Sequence, residues 1–547
     1  MKNPNKKPVK RALLQGNEAI GLAMLEGGCQ VFASYPGTPS SEILPASVNF
    51  AKKYGIDLHT EWSANEKIAF EVALAASYTG QRAAVAMKQV GLNVAADPLM
   101  SSAYIGVIGG FIIVTADDPG PHSSQTEQDS RFWGPFAKLP VYDPSCPQEA
   151  RDMVLAGFEL SEQSEIPVIL RPVLRVCHSR GGVEYHVPVN QKRSTVFNKN
   201  PQRWAATPRF RFQLHKELNI KNREIREIFE GEERFNQEYG GQGTIGIISG
   251  GYSFSVLMDL LDEAGLSIPV LRIGTPFPLP LKRVERFIDR FDKVLVIEET
   301  YPVIENQIID KSRLLGRNTG TVPSEGELTP DTMVEILQAA GVLKDEKALR
   351  VFARTEATDP QIAIRRPSLC AGCPHRAAFF AMTRAFPDAI FPSDIGCYTL
   401  GLNLSAVDTV LDMGASINMA AGFYWAYKIQ GKQIPVIATI GDSTFYHSGP
   451  SALLSQVYND ARLVLVILDN AITAMTGHQP TPGTGIAADR QQVKQVPLEE
   501  LVKGCGVTWC KTIDPYHIDE LIDLLKQADD YTRQPDGGIA VIIARHP

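Results

Sequence analysis

The sequence has few cysteines for its length and no long apolar run. Eight cysteines among 547 residues are too few and too unevenly placed for a disulfide scaffold, which favours a reducing, cytoplasmic compartment. The longest apolar stretch, residues 105–116, is too short to cross a bilayer. The basic start of the chain, residues 1–11, is not followed by an apolar segment. We therefore expect neither membrane insertion nor export.

The sequence also lacks an excess of positive charge. Lys and Arg number 54 against 61 Asp and Glu, a net charge of −7, and the basic residues are spread along the chain. This balance argues against a nucleic-acid partner. With 44% apolar and 21% charged residues, the composition is that of a globular protein, and the length predicts three or four domains.

Short runs rich in Val and Ile alternate with helix-like stretches along the chain. Continuous apolar runs that stop at small or acidic residues are typical of strands buried on both faces of a parallel sheet. The predicted strands are 107–115, 244–248, 294–297, 434–440, 463–468 and 539–544. Helices are predicted at 18–26, 66–78 and 450–458 from apolar spacings of three and four. The pattern predicts an α/β fold.

Two polar, weakly periodic stretches divide the chain into three α/β blocks. They predict linkers at 186–243 and 341–366. The predicted domains are 1–185, 244–340 and 367–547, each a doubly wound parallel sheet.

Two polar strand ends in the last block give the strongest functional signal. Gly441-Asp442-Ser443 follows one predicted strand, and Asp469-Asn470-Ala471-Ile472 follows the next. A right-handed crossover would place both ends on the same edge of the sheet. The Asp442 carboxylate, the Asn470 amide and the Ile472 carbonyl could then hold Mg²⁺, with a diphosphate completing its shell.

The residues around Asp442 fit such a ligand. Gly441 permits a close approach of the backbone, and Ser448-Gly449-Pro450 predicts the start of a helix whose amino end favours an anion. Taken separately, each motif is equally typical of a strand-ending turn or a helix cap. The joint spacing favours a thiamine diphosphate site, and it resembles the Gly-Asp-Gly…Asn motif of thiamine diphosphate enzymes, with Ser443 replacing the second Gly.

A thiamine enzyme also needs a glutamate that bonds N1′ of the aminopyrimidine ring. Glu61, Glu66 and Glu71 lie close together in the first block. Glu66 begins a predicted apolar helix, so it can point from the first turn into an interface. The alternative is a solvated glutamate at a helix start.

Further stretches resemble the indolepyruvate ferredoxin oxidoreductase α-subunit family, in the 2-oxoacid:ferredoxin oxidoreductase superfamily. The matching stretches are 16–20, 35–42, 87–97, 117–131, 370–376, 394–401 and 474–480. The resemblance implies that Glu66 is the aminopyrimidine partner and that Thr38 lies in the loop that holds the oxoacid carboxylate. It further implies cofactor contacts for Gly37, Asn93 and Ser443, and a catalytic role for His478.

The sequence departs from this family pattern at two places. Gln89 stands where relatives often have His, which would alter a polar contact in the site. No pair of Cys-x-x-Cys-x-x-Cys-x-x-x-Cys-Pro runs precedes Pro547, so electrons are expected to leave by another route.

Three cysteines resemble the ligands of the cluster nearest thiamine in pyruvate:ferredoxin relatives. They are Cys370, Cys373 and Cys397. The resemblance implies a 4Fe-4S cluster with three ligands from this chain. A Cys-x-x-Cys pair is equally compatible with zinc or with buried structural thiols.

The family resemblance also implies a function. The expected reaction is oxidative decarboxylation of aryl 2-oxoacids, such as indolepyruvate or phenylpyruvate, to acyl-CoA, with electrons passed to ferredoxin or a partner iron-sulfur subunit. A small β subunit is an expected partner, and the middle block resembles a transketolase carboxyl-terminal domain. The alternatives are a non-oxidative thiamine diphosphate decarboxylase or carboligase, and a catalytically silent assembly subunit.

Overall fold

The computed structural model describes residues 9–191, 193–343 and 367–546. The chain forms two compact units, residues 1–358 and 359–547. Most of the predicted linker 341–366, from residue 344 onward, lies outside the described residues. Within those described ranges, no helix combines the length and apolar character needed to span a membrane.

The first half of the first unit is built on a parallel sheet. The strands of this half are β1 (Val9–Gln15), β2 (Cys29–Ser34), β3 (His59–Trp62), β4 (Arg82–Lys88), β5 (Phe111–Ala116), β6 (Val141–Tyr142), β7 (Val168–Leu170) and β8 (Arg180–His186). Six of them form one sheet in the order β3-β2-β4-β5-β7-β6, and β1 and β8 pair antiparallel beside it. All neighbours in the six-stranded sheet are parallel, so their carboxyl ends share one edge.

Helices flank this sheet. They are Gly16–Glu26, Ile43–Tyr54, Glu66–Tyr78, Gln89–Val94, Ala96–Ile105, Trp133–Ala137, Pro147–Ser164 and Leu174–His178, with a 3-10 turn at Ser130–Phe132. The helix that begins at Glu66 starts there because the Asn65 side chain accepts a hydrogen bond from the Ile68 N–H at 2.9 Å.

The second sheet of this unit has five strands. They are β9 (Glu238–Tyr239), β10 (Ile245–Ser249), β11 (Val270–Arg272), β12 (Lys293–Ile297) and β13 (Leu314–Leu315). Their order is β13-β12-β10-β11-β9, and β9 is antiparallel to its neighbour. The accompanying helices are Gly251–Glu263, Leu281–Ile288, Val303–Gln307 and Pro330–Ala339.

The predicted linker 186–243 contains regular structure. It holds the helices Pro201–Trp204 and Pro208–Glu230. The long helix buries only Leu218, Ile225 and Phe229, so its sequence is dominated by the polar, exposed face. This polar composition explains why the sequence predicted a linker at 186–243.

A buried ion network connects the two sheets of the first unit. Arg131, fully buried, donates to Asp129 at 2.6 Å and to Glu298, which follows β12, at 3.0 Å. Arg171 donates to Asp117 at 2.6 Å. These charges are paired inside the protein, and the network fixes the loop after β5 against the second sheet.

The second unit has a four-stranded parallel sheet. The strands of this unit are β14 (Pro392–Ser393), β15 (Thr409–Val410), β16 (Ile437–Gly441), β17 (Val464–Asp469), β18 (Trp509–Ile513) and β19 (Ala540–Arg545). The sheet order is β16-β17-β19-β18, and β14 and β15 form a separate parallel pair. The helices are Pro374–Ala385, Ala415–Ile429, Asp442–Tyr458, Leu498–Gly504 and Ile518–Arg533, with a 3-10 segment at Cys397–Leu404.

The prediction that Ser448-Gly449-Pro450 opens a helix is wrong. The helix runs from Asp442 to Tyr458, and Pro450 lies inside it. Gly441 is the extended residue before the first turn, with φ −76° and ψ 159°, so the end of β16 sets the helix start. The amino end of this helix therefore lies at Asp442 itself.

Candidate active site

The ends of β16 and β17 lie side by side in the second unit. Gly441 is paired with Leu468 in the parallel register, so Asp442 and Asn470 follow adjacent strands at the same edge. This adjacency follows from the single crossover through helix Asp442–Tyr458.

Oxygen-bearing groups of three residues converge at this edge. One terminal atom of the Asn470 amide lies 2.9 Å from the Ile472 carbonyl oxygen and 3.2 Å from Asp442 Oδ1. If that atom is nitrogen, it donates a hydrogen bond to both oxygens. If it is oxygen, three oxygens face one another, and a cation between them would stabilise the arrangement. With the oxygen of the Asn470 side-chain amide facing Asp442 and Ile472, this geometry can therefore hold Mg²⁺.

The Asp442 carboxylate has the character of a cation ligand. Its side chain is buried, with the residue only 3% exposed, and Oδ2 has no hydrogen-bond partner among the described residues. Burial, aided by the nearby Asp469 carboxylate, raises the pKa of Asp442 to about 8. A buried carboxylate is stabilised by a positive charge, so these residues fit a magnesium diphosphate.

Asp469, the acidic residue that ends β17, has other partners. Arg545, at the end of β19, donates to Asp469 Oδ2 at 2.6 Å and also to Glu499 at 2.7 Å. The Ala471 N–H donates to Asp469 Oδ1 at 3.1 Å. Asp469 therefore anchors the strand end rather than contributing to the converging oxygens.

Tyr398 supports the backbone beneath Asp442. A Cβ on Gly441 would lie 2.4 Å from the Tyr398 ring, so only glycine fits there. The Tyr398 hydroxyl donates to Thr444 Oγ1 at 2.7 Å, or to the Ile395 carbonyl at 2.9 Å. Sequence reasoning missed Tyr398, although it lies within the matching stretch 394–401. Ser443 contacts Thr473 Oγ1 through its hydroxyl at 2.7 Å, which ties the two loops together.

In the first unit, Glu66 is the buried member of the three candidate glutamates. It is 5% exposed, and its carboxyl group lies against Gly91 of helix Gln89–Val94. Glu61 lies within β3 and accepts from Ser63 at 2.6 Å. Glu71 is exposed and pairs with Lys67. Of the three glutamates, only Glu66 is buried, as expected for a carboxyl group that contacts a cofactor.

The loop after β2 carries Gly37 and Thr38, both half-buried. A Cβ on Gly37 would lie 2.8 Å from the Cβ of Lys88, so this loop packs directly on the end of β4. Gln89, which follows Lys88, is fully buried and donates to Ser124 Oγ at 3.0 Å. The sequence did not indicate Lys88 as a site residue, except that it lies in the matching stretch 87–97.

Two predicted site residues lie at exposed positions. Asn93 is exposed on helix Gln89–Val94. His478 is exposed in the loop after β17, at a positive φ of 62°, and its N–H donates to the Thr473 carbonyl at 3.1 Å. Their roles stay predictions.

The three cysteines are neighbours in the second unit. Cys370 is exposed, whereas Cys373 and Cys397 are half-buried. Burial, together with the Cys373 and Cys370 thiols, raises the pKa of Cys397. Among the described residues, no three His, Cys, Asp or Glu side chains are arranged to hold a metal ion. The iron-sulfur site stays a prediction.

Family models match both halves of the chain. Residues 22–233 match "Pyruvate flavodoxin/ferredoxin oxidoreductase, thiamine diP-bdg", and residues 394–543 match "Thiamine pyrophosphate enzyme, C-terminal TPP binding domain". The two matches include Glu66 and Asp442, respectively. Fold and site together define an α/β protein with two thiamine diphosphate-binding domains.

Similar proteins narrow this class to one family. The chain is 41% identical to indolepyruvate oxidoreductase subunit IorA of Archaeoglobus fulgidus, over 98% of this chain and 86% of the relative. It is also 41% identical to the subunit of the same name from Thermococcus kodakarensis, with the same coverage. The chain belongs to the indolepyruvate oxidoreductase subunit IorA family. A solved 2-oxoglutarate:ferredoxin oxidoreductase from Magnetococcus marinus matches at 18% identity with a TM-score of 0.48, over 60% of this chain and 65% of that one.

Proposed function

We propose that this chain is the thiamine diphosphate-binding α subunit of an indolepyruvate:ferredoxin oxidoreductase. The reaction is the oxidative decarboxylation of aryl 2-oxoacids. One oxoacid anion and one coenzyme A give one acyl-CoA, one CO₂, two electrons and one proton. The observation that carries the proposal is the convergence of Asp442, Asn470 and Ile472 in a chain of this family.

Bound thiamine diphosphate supplies the nucleophilic carbon and the electron sink that decarboxylation needs. Asp442, the Asn470 amide oxygen and the Ile472 carbonyl would hold Mg²⁺, which would offset the negative charge of the diphosphate. Glu66 holds the proton at N1′ of the aminopyrimidine. The Gly37-Thr38 loop orients the oxoacid. The burial of Glu66 and Asp442 supports these roles, because a water-poor site strengthens each charged contact.

The roles of the domains, the partners and the cysteines are proposed from the same family. Residues 1–185 act as the pyrimidine-binding domain, 244–340 as a transketolase carboxyl-terminal-like scaffold, and 367–547 as the diphosphate-binding domain. A small β subunit, ferredoxin or another iron-sulfur protein, and coenzyme A are the partners, in the cytoplasm. Cys370, Cys373 and Cys397 are the proposed ligands of an iron-sulfur cluster.

A non-oxidative thiamine diphosphate decarboxylase is the second candidate, because thiamine diphosphate and Mg²⁺ at Glu66 and Asp442 would suffice for it. A silent assembly subunit is disfavoured by the intact Glu66 and Asp442 environments.

The substrate class is tested by anaerobic kinetics of the complex with its natural β subunit. We expect kcat/KM for indolepyruvate and phenylpyruvate to exceed the values for pyruvate and 2-oxoglutarate by at least about tenfold. Equal or reversed values would contradict the aryl assignment without affecting the cofactor assignment.

A further inference from the structure

We infer that Lys88 is a substrate-binding residue whose ammonium group pairs with the carboxylate of the 2-oxoacid. This inference rests on the proposed function, and it names a residue of the site beyond the predicted set.

Lys88 lies between two predicted parts of the site. It is the last residue of β4, and β4 runs between β2 and β5 in the sheet. On one side, its Cβ packs against Gly37 in the predicted oxoacid loop. Immediately after it, helix Gln89–Val94 carries Gly91 against the Glu66 carboxyl group. An anion held by Lys88 would therefore lie near both the oxoacid loop and the predicted activating glutamate.

The Lys88 ammonium is buried, and no carboxylate among the described residues contacts it directly. The residue is 9% exposed, and Nζ donates one hydrogen bond, to the Ser123 carbonyl at 2.6 Å. It forms no ion pair with any residue in the described part of the chain. A buried ammonium is costly unless an anion contacts it directly, and a carboxylate ligand would supply that contact.

The charge of Lys88 persists near neutral pH. Burial lowers the pKa of Lys88 to about 8, and the nearby Asp118 carboxylate acts in the opposite direction. At pH 7 the ammonium form therefore predominates, and it is available to bind an anion.

The polar groups around Lys88 are not all satisfied by protein atoms. Asp118 Oδ2 accepts from the Ser123 N–H at 2.8 Å and from Ser124 Oγ at 2.6 Å, which holds this loop over Lys88. Asp118 Oδ1 and Gln89 Oε1 are buried without a hydrogen-bond partner among the described residues. Both atoms are acceptors, so a donor such as water, and not the substrate carboxylate, would satisfy them.

The competing explanation is that Lys88 only anchors the Ser123 loop. The two explanations differ in whether Lys88 distinguishes an anionic ligand from a neutral one. The unreactive probes 3-phenylpropionate and its amide, 3-phenylpropionamide, have nearly the same shape and differ in charge. Calorimetric titration of each probe into the thiamine-loaded complex measures this preference directly.

We expect the wild-type complex to bind the propionate about 10- to 100-fold more tightly than the amide. Lys88→Met should remove most of that preference, and Lys88→Arg should retain part of it. Lys221→Met is the matched control, because Lys221 also donates to a backbone carbonyl, that of Glu165 at 3.0 Å, and burial also lowers its pKa. The control should keep the wild-type preference.

A folded Lys88→Met variant that still prefers the propionate as strongly as wild type would overturn the inference. So would a wild-type complex with no preference. The failure of the proposed function has a different signature: wild-type protein would not accelerate exchange of the thiamine C2 proton.

Discussion

The carboxyl group of Glu66 occupies the space that a side chain at position 91 would need. A Cβ on Gly91 would lie 2.4 Å from Glu66 Oε1 and 2.7 Å from its Cγ. Glu66 begins one helix and Gly91 lies in the next short helix, so the glycine lets these elements approach closely. The position of the Glu66 carboxyl group thus depends on residue 91 being a glycine.

We predict that Gly91→Ala displaces Glu66 and slows turnover by at least about tenfold, with cofactor affinity within about tenfold of wild type. The measurement is the rate of thiamine C2 proton exchange, followed by NMR. Gly422→Ala is the control, because Gly422 also lies in a helix and an added Cβ would meet no described atom within 4 Å. An exchange rate in Gly91→Ala equal to that of the control would contradict the prediction.

Glu66→Gln should lower turnover about 10²- to 10⁴-fold while cofactor affinity changes less than about tenfold. The amide keeps the shape of the side chain but cannot hold the proton that N1′ requires. Steady-state rates and calorimetry separate the two effects. Glu71→Gln on the same helix changes an exposed residue and should behave as wild type. Wild-type C2 exchange in Glu66→Gln would remove Glu66 from the mechanism.

Asp442→Ala should abolish magnesium-dependent binding of thiamine diphosphate. The diphosphate would lose its metal bridge at the end of β16. Calorimetry with and without Mg²⁺ measures the affinity, and Asp519→Ala, at an exposed position in the same unit, is the control. Unchanged affinity in Asp442→Ala would mean that Gly441-Asp442-Ser443 is only a turn.

The stability of the first unit should depend on the titration of Glu299. Burial raises its pKa from 4.5 to about 7, so the folded state binds this proton more tightly than the unfolded chain. The contribution of Glu299 to the free energy of unfolding therefore falls as pH rises from about 4.5 to about 7, and is level above that.

Glu299→Gln removes this titration while keeping an acceptor for the Leu328 N–H, which donates to Glu299 Oε1 at 2.7 Å. We expect the variant to gain on the order of 2 kcal/mol relative to wild type between pH 5 and pH 8, measured by urea unfolding. Glu325→Gln, at an exposed position, should show no such gain. Parallel pH profiles for wild type and Glu299→Gln would contradict the assignment.

Local patterns in the sequence predicted much of the fold. Helix 66–78 was predicted with the bounds that the structure has, since an asparagine cap and an apolar face define it. Strands near 437–441 and 464–469 followed from continuous Val and Ile runs, and the adjacency of Asp442 and Asn470 followed from the crossover between them. These features depend on neighbours in the sequence.

Contacts between distant segments could not be predicted in this way. The Tyr398 ring beneath Gly441, and Arg545 bound to Asp469, join residues that no local pattern relates. The helix Pro208–Glu230 was missed because three buried residues are too few to dominate its composition. The unpaired charge of Lys88 appears only once the loops around it are folded.

We assign to this protein the thiamine diphosphate-dependent oxidative decarboxylation of aryl 2-oxoacids. The most direct test is the product balance of the anaerobically purified complex, given phenylpyruvate, coenzyme A, Mg²⁺, thiamine diphosphate and oxidised methyl viologen. We expect one phenylacetyl-CoA and two reduced viologens per CO₂, with no product when thiamine diphosphate is removed. Release of CO₂ with free phenylacetaldehyde and no reduced viologen would contradict this assignment and would identify a non-oxidative decarboxylase.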